Sequence, residues 1–288
     1  IEATSSGNVT ITLKSNLTST DLASFSYSKD HTNWTTWTND QQGITITVAM
    51  DSGDKLYLKG SGQRYHNTNE YNDTIISITC DAKVYGNIMS LLYGDNFVNA
   101  DTVYTFSFQS LFRDQTHITE AGNLVLPATE ILGRTYGHMF YGCTSLTTAP
   151  ELPATTLGFQ CYISMFQGCT SLTTAPTLPA ATLTNYCYNN MFSGCTSLNK
   201  IKMYATDISA TSCLSNWVNN VASTGTFTKY YTMESLPTGT SGIPSGWTVK
   251  NYNPNTYSGT VYDMGDVIPG YVSFTYKPKI WYDQSKSV

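Results

Sequence analysis

Six of the seven cysteines in this 288-residue chain fall into two rows, Cys143, Cys169 and Cys195, and Cys161, Cys187 and Cys213, with 26 residues between neighbours. Thiols can ligate zinc, close disulfides or act as nucleophiles, and each use demands its own spacing. Zinc needs C-x-x-C or C-x-x-H pairs, and the chain has none. A disulfide needs Cα atoms within about 7 Å, which stacked strands about 4.8 Å apart allow. Three thiols in a row cannot all pair, however, and neighbours in a ladder point the same way. The rows therefore read as reduced, buried, small apolar groups, and Cys80 as a lone packed thiol. Other reactive side chains form no constellation. His31, His66, His117 and His138 are scattered outside any H-E-x-x-H pattern, and His138 reads as a solvated variable position. No G-x-S-x-G elbow or phosphate-cradling loop occurs. Asp51-Ser52-Gly53-Asp54 and Asp263-Met264-Gly265-Asp266 carry oxygen ligands without EF-hand spacing and read as turns. The chain is expected to be no enzyme, with no metal and no cofactor.

The elements that place these rows repeat with them. Met-Phe-x-Gly-Cys-Thr-Ser-Leu starts at Met139, Met165 and Met191, and Thr147 to Leu157 recurs as Thr173 to Leu183. A fixed period of this length marks a stacked solenoid, whose single copies cannot bury their own apolar side. Cys161, Met165 and Cys169 fall at i, i+4 and i+8, which suits one or two turns of helix ended by Gly168. Leu172 to Ala175 reads as a short strand that Pro176 and Pro179 prevent from extending. Strands are expected to begin near Leu146, Leu172 and Leu198 and to pair in parallel. Tyr136, Tyr162 and Tyr188 form a further row, read as packed aromatics rather than a sugar-stacking stripe. Looser copies flank these, with a step of 28 from Phe112 to Phe140. Leu214, Trp217, Val218 and Val221 have the spacing of an amphipathic helix that would close the stack.

Residues 1–83 read differently. Val9–Leu13, Phe25–Tyr27, Ile44–Val48, Lys55–Leu58 and Ile75–Ile78 are short β-branched runs between turn residues, which suggests a small antiparallel β-sandwich. Trp34 and Trp37 are read as capping its core, the alternative being an exposed aromatic site. Residues 251–288 hold two more strand-like runs, Ser258–Tyr262 and Gly270–Tyr276. Charged residues are only 12%, against about 25% in ordinary domains. The net charge of −5 offers a nucleic-acid backbone no attraction. No apolar run approaches the roughly 18 residues of a membrane span.

The string Leu-Pro-Ala-Thr-Thr-Leu-x-x-x-Cys-Tyr-x-x-Met-Phe-x-Gly-Cys-Thr-Ser-Leu-Thr-x-Ala-Pro, from Leu152 to Pro176, resembles the BspA-like branch of leucine-rich repeats. Such repeats occur in surface proteins of gut Bacteroidetes and in their phages. The resemblance covers roughly residues 20–250. It implies a β-rich α+β fold, a leucine-rich-repeat solenoid over residues 84–250 behind the sandwich of 1–83; residues 251–288 lie outside the resemblance and read, from their own runs, as a β tail or the start of a truncated domain. It also implies a concave face lined by the strand residues between the inward positions. Here these are Thr119, Glu120, Thr147, Thr148, Thr173, Thr174, Asn199 and Lys200, with Glu151, Thr177 and Lys202 just beyond. Hydroxyl rows of this kind suit a neutral polar partner. The expected function is a non-catalytic extracellular adhesion module, attached at the cell surface of the outer membrane, holding a host or bacterial surface protein or glycan. The alternative is a structural component of a phage virion or surface appendage.

Overall fold

The computed structural model describes residues 1–39, 43–66, 75–233 and 236–254. Ile1–Asn251 form one compact unit. The strand-like runs and the Asp263–Asp266 turn expected in the tail lie outside the described residues.

All five β-branched runs of the first 83 residues supply strands. Ile44–Met50, Gly7–Leu13 and Ile76–Ile78 form one antiparallel sheet, and Thr35–Thr38, Leu22–Ser28 and Tyr57–Gly62 another. Alternation decides their faces, since Val9, Ile11 and Leu13 are buried while the residues between them are not. Phe25 pairs with Trp37 across the second sheet and meets Tyr65 edge-on at 6.2 Å. Tyr65 donates its hydroxyl to the Leu91 carbonyl at 2.8 Å, tying this sheet to the short helix Ser90–Tyr93. A third sheet joins the start of the chain to the first loose copy: Ala82–Lys83 lies between Glu2–Ala3 and Ile118–Glu120.

The expected leucine-rich-repeat solenoid behind a β-sandwich is corrected. Among the described residues the strands form five small sheets of two or three strands each, and no sheet closes or runs on through the copies. Helix among them is confined to Ser90–Tyr93 and the 3-10 segment Gly94–Asn99. The fold is mixed and β-rich. Proline accounts for part of the difference. Strands expected at Leu146 and Leu172 are reduced to isolated parallel bridges, Glu120 to Thr148 and Thr174 to Lys200, with no bridge between Thr148 and Thr174. Pro150 and Pro176 bring no N–H to a ladder two residues past each bridge. The next copy has Lys202 at that position, and there the strand Lys200–Met203 forms, parallel to Thr226–Tyr230.

The expected helical turn is corrected too. Residues 158–168 form a ribbon of consecutive turns with positive φ at Gln160 (55°), Ser164 (50°) and Gly168 (79°). The same pattern recurs at Arg134, His138 and Gly142, and at Tyr186, Asn190 and Gly194. A left-handed residue every fourth position forbids an α-helix, yet it returns every fourth side chain to the same face, as a helix does. Leu214–Val221 follows this rule as well, with Asn216 and Asn220 left-handed, so the closing helix is replaced by turns. Along the ribbon the N–H groups alternate in destination. Met139 and Tyr141 donate back three residues, to Tyr136 and His138, whereas Tyr136, His138 and Phe140 donate to Cys161, Ile163 and Met165 of the next copy at 2.8–3.0 Å. Every second backbone donor therefore joins neighbouring copies.

Side chains on the inner face stack in register. Phe112, Phe140, Phe166 and Phe192 have centroids 5.5 to 5.8 Å apart and planes within 20° of parallel. This also places the step of 28 at the first pair. Phe108, Tyr136, Tyr162 and Tyr188 make a second column at 5.7 to 6.0 Å. These tyrosines are 1% exposed, so the row is core and offers no surface to a sugar. Each stacked pair contributes about 0.5–1.5 kcal/mol beyond area burial. Trp217 closes the phenylalanine column against Phe192 at 6.1 Å and donates its indole N–H to the Gly242 carbonyl. Cys143, Cys169 and Cys195 sit beside the column, 0% exposed, with their thiols donating to the carbonyls of Phe112, Phe140 and Phe166.

Candidate binding face

The threonine pairs come to the surface because the leucine that precedes each pair is pulled inward. Leu146 and Leu172 are 0% exposed, and the chain then runs extended, so Thr147, Thr148, Thr173 and Thr174 are exposed. Backbone bonds align the copies: Thr147 N–H donates to Thr119 at 2.9 Å, Ala121 to Thr148 at 2.9 Å, Asn199 to Thr173 at 3.0 Å and Ala175 to Lys200 at 2.9 Å. The hydroxyls divide into two kinds. Thr119 donates its hydroxyl to the Ala82 carbonyl and Thr147 to the Thr119 carbonyl, at 3.2 and 2.8 Å. The hydroxyls of Thr148, Thr173 and Thr174 make no hydrogen bond among the described residues and are left to solvent or a ligand.

The ends of the face are charged unequally. Glu120 is ion-paired with Lys83 at 3.0 Å, so its carboxylate is already neutralised. Lys83 is not legible in the sequence as part of this face; it arrives through the sheet register that sets it against Glu120. At the other end Lys200 and Lys202 are exposed and lie beside Thr226 and Thr228. Those two threonines also escape the sequence reading, because Thr226–Tyr230 lacks the repeat motif. Asn199 and Thr177 are half-buried. Glu151 stands apart, at the rim of a shallow depression with Asn123, Val125, Pro127 and Pro153. The structure thus brings Thr119, Glu120, Thr147 and Thr148 together, and likewise Thr173, Thr174, Asn199 and Lys200, while Glu151 belongs to neither set.

The remaining candidates resolve individually. Gly53 takes a positive φ of 92° in the Asp51–Asp54 turn, and the Asp54 carboxylate accepts from the Asp51 N–H at 2.8 Å and from Lys29. These bonds hold its pKa below the ordinary value, and the segment is a turn, as its sequence suggests. Among the described residues no group of three or more His, Cys, Asp or Glu is placed to hold a metal ion. Nor is any helix among them long and apolar enough to cross a membrane. His138, expected to be solvated, is 8% exposed, and burial followed by the nearby Arg113 and Arg134 lowers its pKa to about 3. All seven cysteines are free and buried, and burial pushes Cys143, Cys187 and Cys195 up to about 12. Trp37 is 4% exposed within the core of its sheet, while Trp34 remains half-buried at the surface.

No family model, no curated protein and no solved structure matches this chain. The likeness to BspA-like repeats rests on the quoted residues alone.

Proposed function

We propose that this chain is a non-catalytic extracellular binding module that holds a surface protein or glycan against the hydroxyl face of Thr148, Thr173 and Thr174. The observation that carries the reading is that these side chains are surface-exposed while their hydroxyls have no partner among the described residues. A hydroxyl both donates and accepts, so three in adjacent copies can meet alternating donors and acceptors on a peptide backbone or a sugar. The neutral middle of the face, between the Lys83–Glu120 pair and Lys200, favours an uncharged partner. Attachment at a bacterial cell surface is part of the same proposal and derives from the family likeness.

The test is a screen of the full chain against glycan and matrix-protein arrays, followed by the double variant Thr148→Lys, Thr174→Lys. Binding found in the screen should weaken at least tenfold in the variant. Unchanged affinity would move the site off this face.

A further inference from the structure

A second site lies nearer the start of the chain, where residues from both antiparallel and repeat-like segments surround a cavity of about 230 Å³. Its floor is apolar and includes Phe112, the first ring of the phenylalanine column. Its walls are aromatic. His31 lies 5.7 Å from Trp34 and 4.8 Å from Tyr57, and Tyr85, 38% exposed, stands on the rim. Lys59 places its ammonium 4.1 Å from the centre of the Trp34 ring and pairs with Asp95 at 2.8 Å.

The loop that presents these rings is built to hold them. Asp30 accepts hydrogen bonds from the N–H groups of Thr32 and Asn33, from the Asn33 amide and from the Ser28 hydroxyl, at 2.6–2.9 Å. His31 beside it takes a φ of 62°, in the left-handed region a non-glycine residue enters at a cost. The turn ribbons explain the other non-glycine residues with positive φ by their four-residue rhythm. His31 has no such reason, and its conformation sets its ring between Trp34 and Tyr57.

We infer that this cavity is a binding site for one neutral sugar ring. Size excludes an extended ligand, since about 230 Å³ is below the roughly 300–1,000 Å³ of sites for drug-sized molecules. Charge disfavours two further classes. A cationic ligand would meet the ammonium groups of Lys55 and Lys59 in the lining, and Lys59 already covers the Trp34 ring at 4.1 Å. An anionic ligand would meet two lysines that already have carboxylate partners, Lys59 with Asp95 at 2.8 Å and Lys55 with Glu2 at 3.9 Å. A sugar ring fits both demands: its C–H face packs on Tyr57 and Tyr85, and its hydroxyls, each a donor and an acceptor, meet the adjacent ammonium and carboxylate of Lys59 and Asp95. The site shares no residue with the threonine face, so either can fail alone.

Saturation-transfer NMR on the full chain tests this with free glucose, galactose, mannose, fucose and N-acetylglucosamine at tens of millimolar, with choline and acetate as charged controls. At least one neutral sugar should bind, and Trp34→Ala and Tyr57→Ala should each weaken it at least tenfold. Thr148→Lys, Thr174→Lys should leave it unchanged. Continued protection of the seven thiols shows that a variant is folded, and Tyr85→Ala replaces either variant that loses protection. Three results each overturn the inference: no sugar binding to the parent chain, preference for choline or acetate, or sugar binding that survives the aromatic variants.

Discussion

The turn edge and the threonine edge of each copy arise from equally regular sequence and reach different structures. On the turn edge every second N–H crosses to the next copy, and the ring columns run unbroken from Phe112 to Phe192. On the threonine edge the crossing is intermittent, with bridges at Thr148 and Thr174 that do not meet each other. The difference shows that identity between copies brings the same residues inward but guarantees neither identical hydrogen bonds nor a continuous ladder. Continuity depends on whether donors are supplied, and proline withholds them.

The contrast predicts where the chain is sensitive. Phe166→Ala should cost about 3–5 kcal/mol in a denaturant titration, because it removes an inner ring of a buried column and leaves a cavity with rings on both sides. A loss below about 1 kcal/mol, small for a buried ring, would mean that the column is not what joins the copies. The thiols beside the rings report the same packing: denatured protein should titrate seven thiols without reductant, and native protein few. Finding most of them already paired in the denatured chain would break the ladder reading.

His138 adds a pH-dependent sensitivity to the turn edge. Its folded pKa of about 3 lies below the ordinary 6.5, so at acid pH the unfolded chain binds the proton that the folded chain refuses. Stability from this group is complete above pH 6.5 and falls as pH drops toward 3, by about 1.4 kcal/mol per unit. Between about pH 6.5 and 4.5 the loss should reach roughly 2–3 kcal/mol. His138→Asn, which places the residue of the equivalent position Asn190 in the same left-handed turn, should remove that part of the pH dependence. An unchanged slope in matched titrations would assign the acid sensitivity elsewhere. On the threonine edge the effects on stability should be smallest. Thr148→Ala and Thr174→Ala should stay within about 0.5 kcal/mol of the parent chain, since their hydroxyls hold nothing in the fold. A larger loss would show that the face is structural and weaken the case for a ligand.

How much of the molecule is readable in its sequence can be traced residue by residue. The cysteine rows, the buried leucines and the step of 28 are legible from spacing, because these inward positions are buried in every copy alike. The ribbon reads as a helix because Cys161, Met165 and Cys169 recur every four residues, and successive four-residue turns produce that interval as well as a helix does. The left-handed residues that separate the two, Gln160, Ser164 and Tyr186, are not types that announce a positive φ. The strands read as too regular even with Pro176 in view, since the short segment before it still looks able to join a ladder. Lys83 joins the threonine face through a pairing between distant, non-repeating segments, which no periodicity reveals. The two tryptophans, a pair in the sequence, are separated by the fold into core and rim.

The alternating donors of the turn ribbon also bear on how such a chain can change length. Copies beginning at Met139 and Met165 present the same acceptors to the copy before them and the same donors to the copy after. Gaining or losing 26 residues at that boundary would leave each backbone group of the turn ribbon facing an equivalent partner, with Trp217 still covering the last ring. A change in copy number there would be spared the penalty of a mismatched junction on the turn edge. The array is therefore open to heritable variation in copy number while its two ends remain fixed.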